Sequence, residues 1–182
     1  MTAEDRIRWD GVYAERGHLD PESAVLPAVF TPFEREFPTA GRALELACGR
    51  GGATVWLARR GLEVSGYDAS AVAIEGAREL ATHFHVADRC SFSVVDLDHG
   101  LPPGSPADVV ICHRFRAPHL NDAIVERLVP GGLLAIAVLS EVDAAPGPYR
   151  ATPGELTAAF ANLDAIASGE GQGLAWLLAR RL

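Results

Sequence analysis

Between Ala43 and Leu139 short apolar runs alternate with amphipathic stretches, and this alternation restricts the fold more than any other feature of the chain. ALELAC (Ala43–Cys48) runs straight into the glycine-rich Gly49-Arg50-Gly51-Gly52. ATVWLARRG (Ala53–Gly61) then reads as a helix stopped by glycine, and LEVSGYD (Leu62–Asp68) as the next strand, which makes one strand–helix–strand unit. The pattern goes on. Ser70 can cap a helix over Ala71–Thr82, SFSVVDL (Ser91–Leu97) and ADVVICH (Ala107–His113) read as strands, and Asn121–Leu128 as a helix. GLLAIAVL (Gly132–Leu139) is apolar without alternation, the mark of a parallel strand covered on both faces.

After a loop rich in Pro and Gly, Gly154–Leu163 reads as a last crossover helix, followed by two strands, AIASGE and GLAWLLARRL, joined in a hairpin at Gly171-Gln172-Gly173. Ahead of the alternation, residues 4–16 place Ile7, Trp9, Val12 and Tyr13 at roughly helical spacing. Pro21, Pro27, Pro32 and Pro38 break the next stretch, although Ala24–Phe37 is apolar enough for a short helix. The expectation is an α/β fold. Its core is a doubly wound, Rossmann-like sheet of seven strands, mostly parallel, with a carboxyl-terminal antiparallel hairpin strand. A chain of 182 residues suits a single domain, 1–182, with 1–40 as an amino-terminal helical lid region and 41–182 as the core.

Composition removes several classes of partner. All 16 basic residues are Arg, with no Lys, and the net charge is -8, which argues against a nucleic-acid partner held through phosphates. No run approaches the roughly 18 apolar residues of a membrane span, and the opening residues are charged where an export signal is apolar, so a cytoplasmic protein with no membrane partner is expected. Cys48, Cys90 and Cys112 are scattered and outside metal-ligand spacing, so neither a disulfide framework nor a metal site is expected.

On such a sheet, ligands sit beyond the carboxyl ends of the strands near the switch point. There, Gly49 to Gly52 give a turn that lets a ligand approach the backbone. Thr54 stands near the place of the third glycine of a dinucleotide fingerprint, and Glu45 where that fingerprint is apolar, which disfavours a nicotinamide oxidoreductase. Asp68 closes the second strand, where a carboxylate can accept both hydroxyls of a ribose or cap the following helix. Asp96-Leu97 closes the third; an acceptor beside a backbone N–H and an apolar side chain suits an adenine edge, and Asp98 could share the role.

These residues resemble the class I S-adenosylmethionine-dependent methyltransferases. Glu45 to Gly52 is similar to that family's motif I, Gly66-Tyr67-Asp68 to its second-strand acid and Val95-Asp96-Leu97 to its adenine-side motif. Leu128-Val129-Pro130-Gly131-Gly132-Leu133 is similar to its L-x-P-G-G signature. Trp9-Asp10-x-x-Tyr13 and His113-Arg114-Phe115 resemble the small bacterial branch that includes tellurite-resistance and thiopurine-type methyltransferases.

The resemblance implies S-adenosylmethionine as cofactor and methyl transfer to a small-molecule acceptor by in-line displacement. A catalytically silent binding module would share the same cofactor half. The resemblance further implies that Glu45 and the Ala47 carbonyl face the ammonium side, Gly49 and Gly51 make room for the methionine part, Asp68 holds the ribose, and Asp96 with Leu97 reads the adenine. Ala47 stands where many members have glycine, and Arg50 adds a cation for the cofactor carboxylate or for solvent.

His113, also at the cofactor site, and His119 are the candidate catalytic bases. Trp9, Tyr13, His18, Arg114 and Arg116 are candidates for the substrate rim, and the loop carrying Glu141, Tyr149 and Arg150 could extend it. Oligomeric state is not legible.

Overall fold

The computed structural model describes residues 3–15 and 20–182, and its strands form one sheet. β1 (Arg42–Leu46), β2 (Glu63–Asp68), β3 (Cys90–Val94), β4 (Ala107–His113) and β5 (Leu128–Leu139) pair in parallel. β6 (Asp164–Gly171) and β7 (Leu174–Arg180) follow, with β7 antiparallel to both β5 and β6. Among the described residues these are seven strands in the order β3-β2-β1-β4-β5-β7-β6, which reverses direction between β1 and β4. The mostly parallel sheet with its carboxyl-terminal antiparallel strand is the architecture the alternation predicts.

The helices divide between the two faces. α1 (Ala3–Glu15) precedes the sheet; α2 (Gly52–Arg59) and α3 (Ala71–His83) cover one face, and α4 (Asn121–Arg127) and α5 (Glu155–Ala159) the other. The central strands bury both sides with a period of two. Val109, Ile111, Leu133 and Ala135 join the core under α2 and α3, whereas Val110, Cys112, Leu134 and Ile136 join the core under α4 and α5. Burial on both sides is why β4 and β5 read as unbroken apolar runs.

Three segments differ from the sequence expectation. Ala24–Phe37 forms no α-helix: Pro21–Ser23 and Ala28–Glu36 are 3-10 turns, the second interrupted at Phe33 (φ -110°, ψ 19°) beside Pro32. Proline removes an N–H and crowds the preceding turn, so a continuous helix cannot pass. The last crossover helix shrinks to α5, because the N–H groups of Ala161 and Leu163 donate to carbonyls three residues back and tighten the chain into β6. Strand β3 ends at Val94, leaving Asp96 and Leu97 on a short 3-10 turn, Leu97–His99.

The segment after α1 belongs to the core as much as to any lid. Ala24, Leu26, Phe30 and Phe37 are buried, and Phe30 meets Trp176 of β7 edge-on with ring centroids 6.3 Å apart. Phe37 meets Trp56 of α2 in the same way at 5.5 Å. Truncating a ring buried this fully leaves a cavity, so Phe30→Ala is expected to lower the unfolding free energy by about 3–5 kcal/mol, read from the urea midpoint.

Candidate active site

The turn that leaves β1 is left-handed at every second residue: Ala47 (φ +51°), Gly49 (φ +53°) and Gly51 (φ +76°). Glycine adopts this freely, while Ala47 bears a cost of about 1–2 kcal/mol. The bend is fastened to the end of β2. The Tyr67 carbonyl accepts the Cys48 N–H at 2.9 Å, and Asp68 Oδ2 accepts the Gly49 N–H at 2.8 Å. Asp68 Oδ1 accepts the Ser70 N–H at 2.9 Å, so one carboxylate ties the turn to the entry of α3. Capping of α3 falls to Ser70, whose Oγ accepts the Ala73 N–H at 3.1 Å.

Glu45 reaches from β1 to the open start of α2. Its Oε2 accepts the Thr54 N–H at 2.7 Å and the Thr54 hydroxyl at 2.5 Å, replacing the cap that Gly51 cannot supply. Thr54 entered the sequence reading only as a missing glycine. Its pairing with a residue nine positions earlier on a different element leaves no periodic signal. At the same start, a Cβ on Gly52 would lie 2.4 Å from the Ser23 carbonyl oxygen, so the amino-terminal segment presses directly on the turn.

α1 is tied down at two points. Asp10 Oδ1 accepts the Ser70 hydroxyl and, at 3.4 Å, the Val72 N–H; Arg50 Nη2 donates to the Tyr13 carbonyl at 2.9 Å. The Tyr13 hydroxyl lies over Gly49, where a Cβ would approach it to 3.0 Å. Trp9 and Tyr13, four residues apart on one helix face, pack with ring centroids 6.1 Å apart. Arg50 thus has a backbone partner within the chain, which the sequence did not reveal.

These elements surround one cavity of about 890 Å³ at the carboxyl ends of the strands. Glu45, Ala47, Gly49, Asp68, Asp96, Leu97 and His113 all line it, as do Trp9, Tyr13 and Arg114. Asp98 and, unforeseen from the sequence, Ser23, Val25 and Pro27 complete parts of the wall.

Gly51, Arg116 and His119 stand off the wall. A Cβ on Gly51 would lie 2.8 Å from the Ala77 Cβ, so this glycine serves the packing of α2 on α3. Arg116 is ion-paired with Glu155 at 2.6 Å, near α5. His119 Nε2 hydrogen-bonds the Leu97 carbonyl at 3.2 Å. Arg150 turns to the carbonyls of Ser140 and Gly173, at 2.6 and 3.2 Å. His18 lies outside the described residues.

The electrostatics are those of buried acids without cationic partners. Glu45 is 5 % exposed and Asp68 7 %, and among the described residues no arginine pairs with either. Burial lifts the Glu45 carboxyl from 4.5 to about 7; the two Thr54 bonds oppose the rise and the nearby Asp68 adds to it. Burial also raises Asp68, against the N–H groups of Ser70, Gly49 and Ala69, with Asp10 adding to the rise. His113 moves down, through burial and then the Arg114 charge, and so favours its neutral form. Burial pushes the Cys112 thiol up to about 12 and the Cys48 thiol well above its ordinary value, which leaves both as packing groups.

Residues 43–132 match the family described as methyltransferase domain. Among solved structures, TehB from Haemophilus influenzae superposes with a TM-score of 0.76 at 17% identity, over 86% of this chain and 63% of that one. Residues 43–132 are a class I methyltransferase domain. That family depends on S-adenosylmethionine.

Geranyl diphosphate C-methyltransferase from Streptomyces coelicolor A3(2), solved with Mg2+, geranyl diphosphate and S-adenosyl-L-homocysteine, shares the fold with a TM-score of 0.68. Its identity is 14%, over 91% of each chain. Ribosomal RNA small subunit methyltransferase C of Alcanivorax borkumensis is 34% identical over 79 residues, 43% of this chain. The match covers 23% of that curated relative, and this chain spans under two thirds of TehB. Among the described residues no helix is long and apolar enough to cross a membrane.

The methyltransferase domain's acid at Glu45 carries a pH signature. Its native value of about 7 lies above the ordinary 4.5, so the folded chain keeps a proton that the unfolded chain has lost, and stability falls as pH rises through that window. Glu45→Gln keeps an oxygen for Thr54 and has no proton to lose. Between about pH 5 and about pH 8 the wild type should lose about 2–3 kcal/mol of stability relative to this variant, measured by urea unfolding.

Proposed function

We propose that this chain transfers a methyl group from S-adenosylmethionine to a small-molecule acceptor by in-line displacement. The observation that carries the reading is the single cavity shared by Glu45, Asp68 and Asp96, in which the two buried acids accept, among the described residues, from backbone and hydroxyl groups only. Such a hollow favours a cationic guest, and the sulfonium and ammonium of this cofactor supply that charge. When bound, S-adenosylmethionine would supply a methyl carbon on cationic sulfur, open to an acceptor's lone pair, with the carbon–sulfur electron pair leaving on the neutral thioether.

The residues fit the parts of that molecule. Asp68 accepts the Gly49 and Ser70 N–H groups on different oxygens, which leaves the carboxylate acceptor capacity for a ribose hydroxyl. Val95 and the buried Leu97 would give an apolar wall for the base, with Asp96 at its edge, and Glu45 and the Ala47 carbonyl would hold the ammonium. Gly49 gives the backbone room for the methionine part. Trp9 and Tyr13 act as a lid that keeps water from the reacting atoms, and His113, neutral and half-buried, is placed to take a proton from an acceptor that has one to lose. Orientation in such a pocket can supply up to roughly 7–11 kcal/mol of barrier reduction.

A nucleic-acid acceptor fits poorly with a net charge of -8 and a chain without Lys. A cavity of about 890 Å³ that must also hold the cofactor leaves space for a small acceptor.

Calorimetry is expected to show micromolar binding of S-adenosylmethionine, and absence of binding overturns the proposal. Asp68→Ala should weaken binding by roughly 1.5–3 kcal/mol. Because Asp68 also holds the turn, a melting curve of the ligand-free variant separates lost binding from lost folding. Release of S-adenosylhomocysteine over a panel of small acceptors distinguishes an enzyme from a module that only binds.

A further inference from the structure

Arg114 differs from the other residues around the cavity. It follows β4 directly, lines the cavity, is exposed, and its guanidinium makes no hydrogen bond or ion pair with any described residue. By contrast Arg50 is bonded to the Tyr13 carbonyl and Arg116 to Glu155. The Arg114 backbone is left-handed at φ +61°, held there as its N–H donates to the Ala137 carbonyl at 2.7 Å. Glycine or asparagine adopts that conformation at lower cost, so the fold gains nothing from a long side chain at this position. What arginine adds is a cation at the wall of a cavity whose buried carboxylates are already engaged with the turn.

Beside the carboxyl groups of Asp20 and Asp98, the wall carries a set of apolar side chains. Trp9 and Val25 line the cavity yet remain 39% and 55% exposed, and Phe115 and Leu139 add to the same lining. Apolar surface of this kind around a cavity is what an apolar guest covers. His113, beside Arg114, favours its neutral form through burial and the Arg114 charge, so it leaves the guanidinium as the group that meets an anion.

Resting on the methyl-transfer reading, we infer that the acceptor is an apolar small molecule presenting an anionic oxygen or sulfur, its charge met by Arg114 and its body by Trp9, Val25, Phe115 and Leu139. An acceptor of neutral charge gains nothing from the guanidinium. One that is ionised gains a charge-assisted hydrogen bond. Ionisation also leaves the acceptor's lone pair ready to attack without removal of a proton in the same step.

The test uses the full chain and needs no methyl transfer. Calorimetry at mildly alkaline pH compares para-nitrophenol, then an anion, with para-nitroanisole, its neutral ether, with and without S-adenosylhomocysteine. Para-nitrothiophenol forms a further arm that tells sulfur from oxygen. Either anion should bind at least about tenfold more tightly than the ether, Arg114→Gly should bring the two within about twofold, and Arg114→Lys should restore most of the difference. Arg114→Gly should melt no lower than the wild type, since it relieves a left-handed side chain; Arg114→Met repeats the comparison with the backbone unchanged.

Equal affinity for anion and ether in the wild type, binding of neither, or a preference that survives both Arg114→Gly and Arg114→Met would overturn the inference. Failure of S-adenosylmethionine to bind would instead remove the methyl-transfer reading and leave the measured charge preference standing.

Discussion

Two buried carboxylates organise the end of the sheet on which the site is built. Asp68 binds the turn after β1 through the Gly49 N–H and the entry to α3 through the Ser70 N–H, while Glu45 closes the start of α2 through Thr54. Among the described residues no cation pairs with either acid, and backbone N–H groups and the Thr54 hydroxyl are their hydrogen-bond donors. That arrangement disfavours the charged form, as the raised values of both groups record. A cationic guest relieves the same penalty. In the proposed reading, binding and the stability gained at low pH draw on one source, the desolvation of these two side chains.

The amino-terminal region extends this arrangement. Asp10 reaches the start of α3 through the Ser70 hydroxyl, next to the N–H that Asp68 holds, and Arg50 of the β1 turn reaches back to the Tyr13 carbonyl. α1 is thus connected to both halves of the cradle. The segment behind it is anchored by Phe30 and Phe37 against Trp176 and Trp56, so the described part of residues 1–40 combines a covering helix with a piece of the core.

Much of the fold was legible because burial on two faces writes unbroken apolar runs, as in Val109–Cys112 and Leu133–Val138, and because glycine marks the helix ends. The 3-10 turns at 28–36 were not legible as such: the apolar content of that stretch reads as a helix, and although Pro32 marks a break, it does not say which turns replace the helix. At the site, the acids at strand ends were readable from position alone. What they bind was not: Thr54 for Glu45, Gly49 and Ser70 for Asp68, and Asp10 for Ser70 are pairings between elements, and local sequence carries no register for them. Arg116 and His119 looked like neighbours of His113 along the chain, but the turn at Pro118–Leu120 carries His119 to the Leu97 carbonyl and Glu155 draws Arg116 away.

The absence of a side chain at Gly52 reaches beyond its own turn. With the Ser23 carbonyl oxygen seated where a Cβ would stand, at 2.4 Å, the leading segment and the cradle share a border without slack. A side chain at position 52 would have to displace the backbone at Ser23. Grafting a foreign amino-terminal segment onto this sheet would have to reproduce the backbone path past Ser23 before any of its side chains mattered, although the two regions lie on opposite sides of the first strand in the chain.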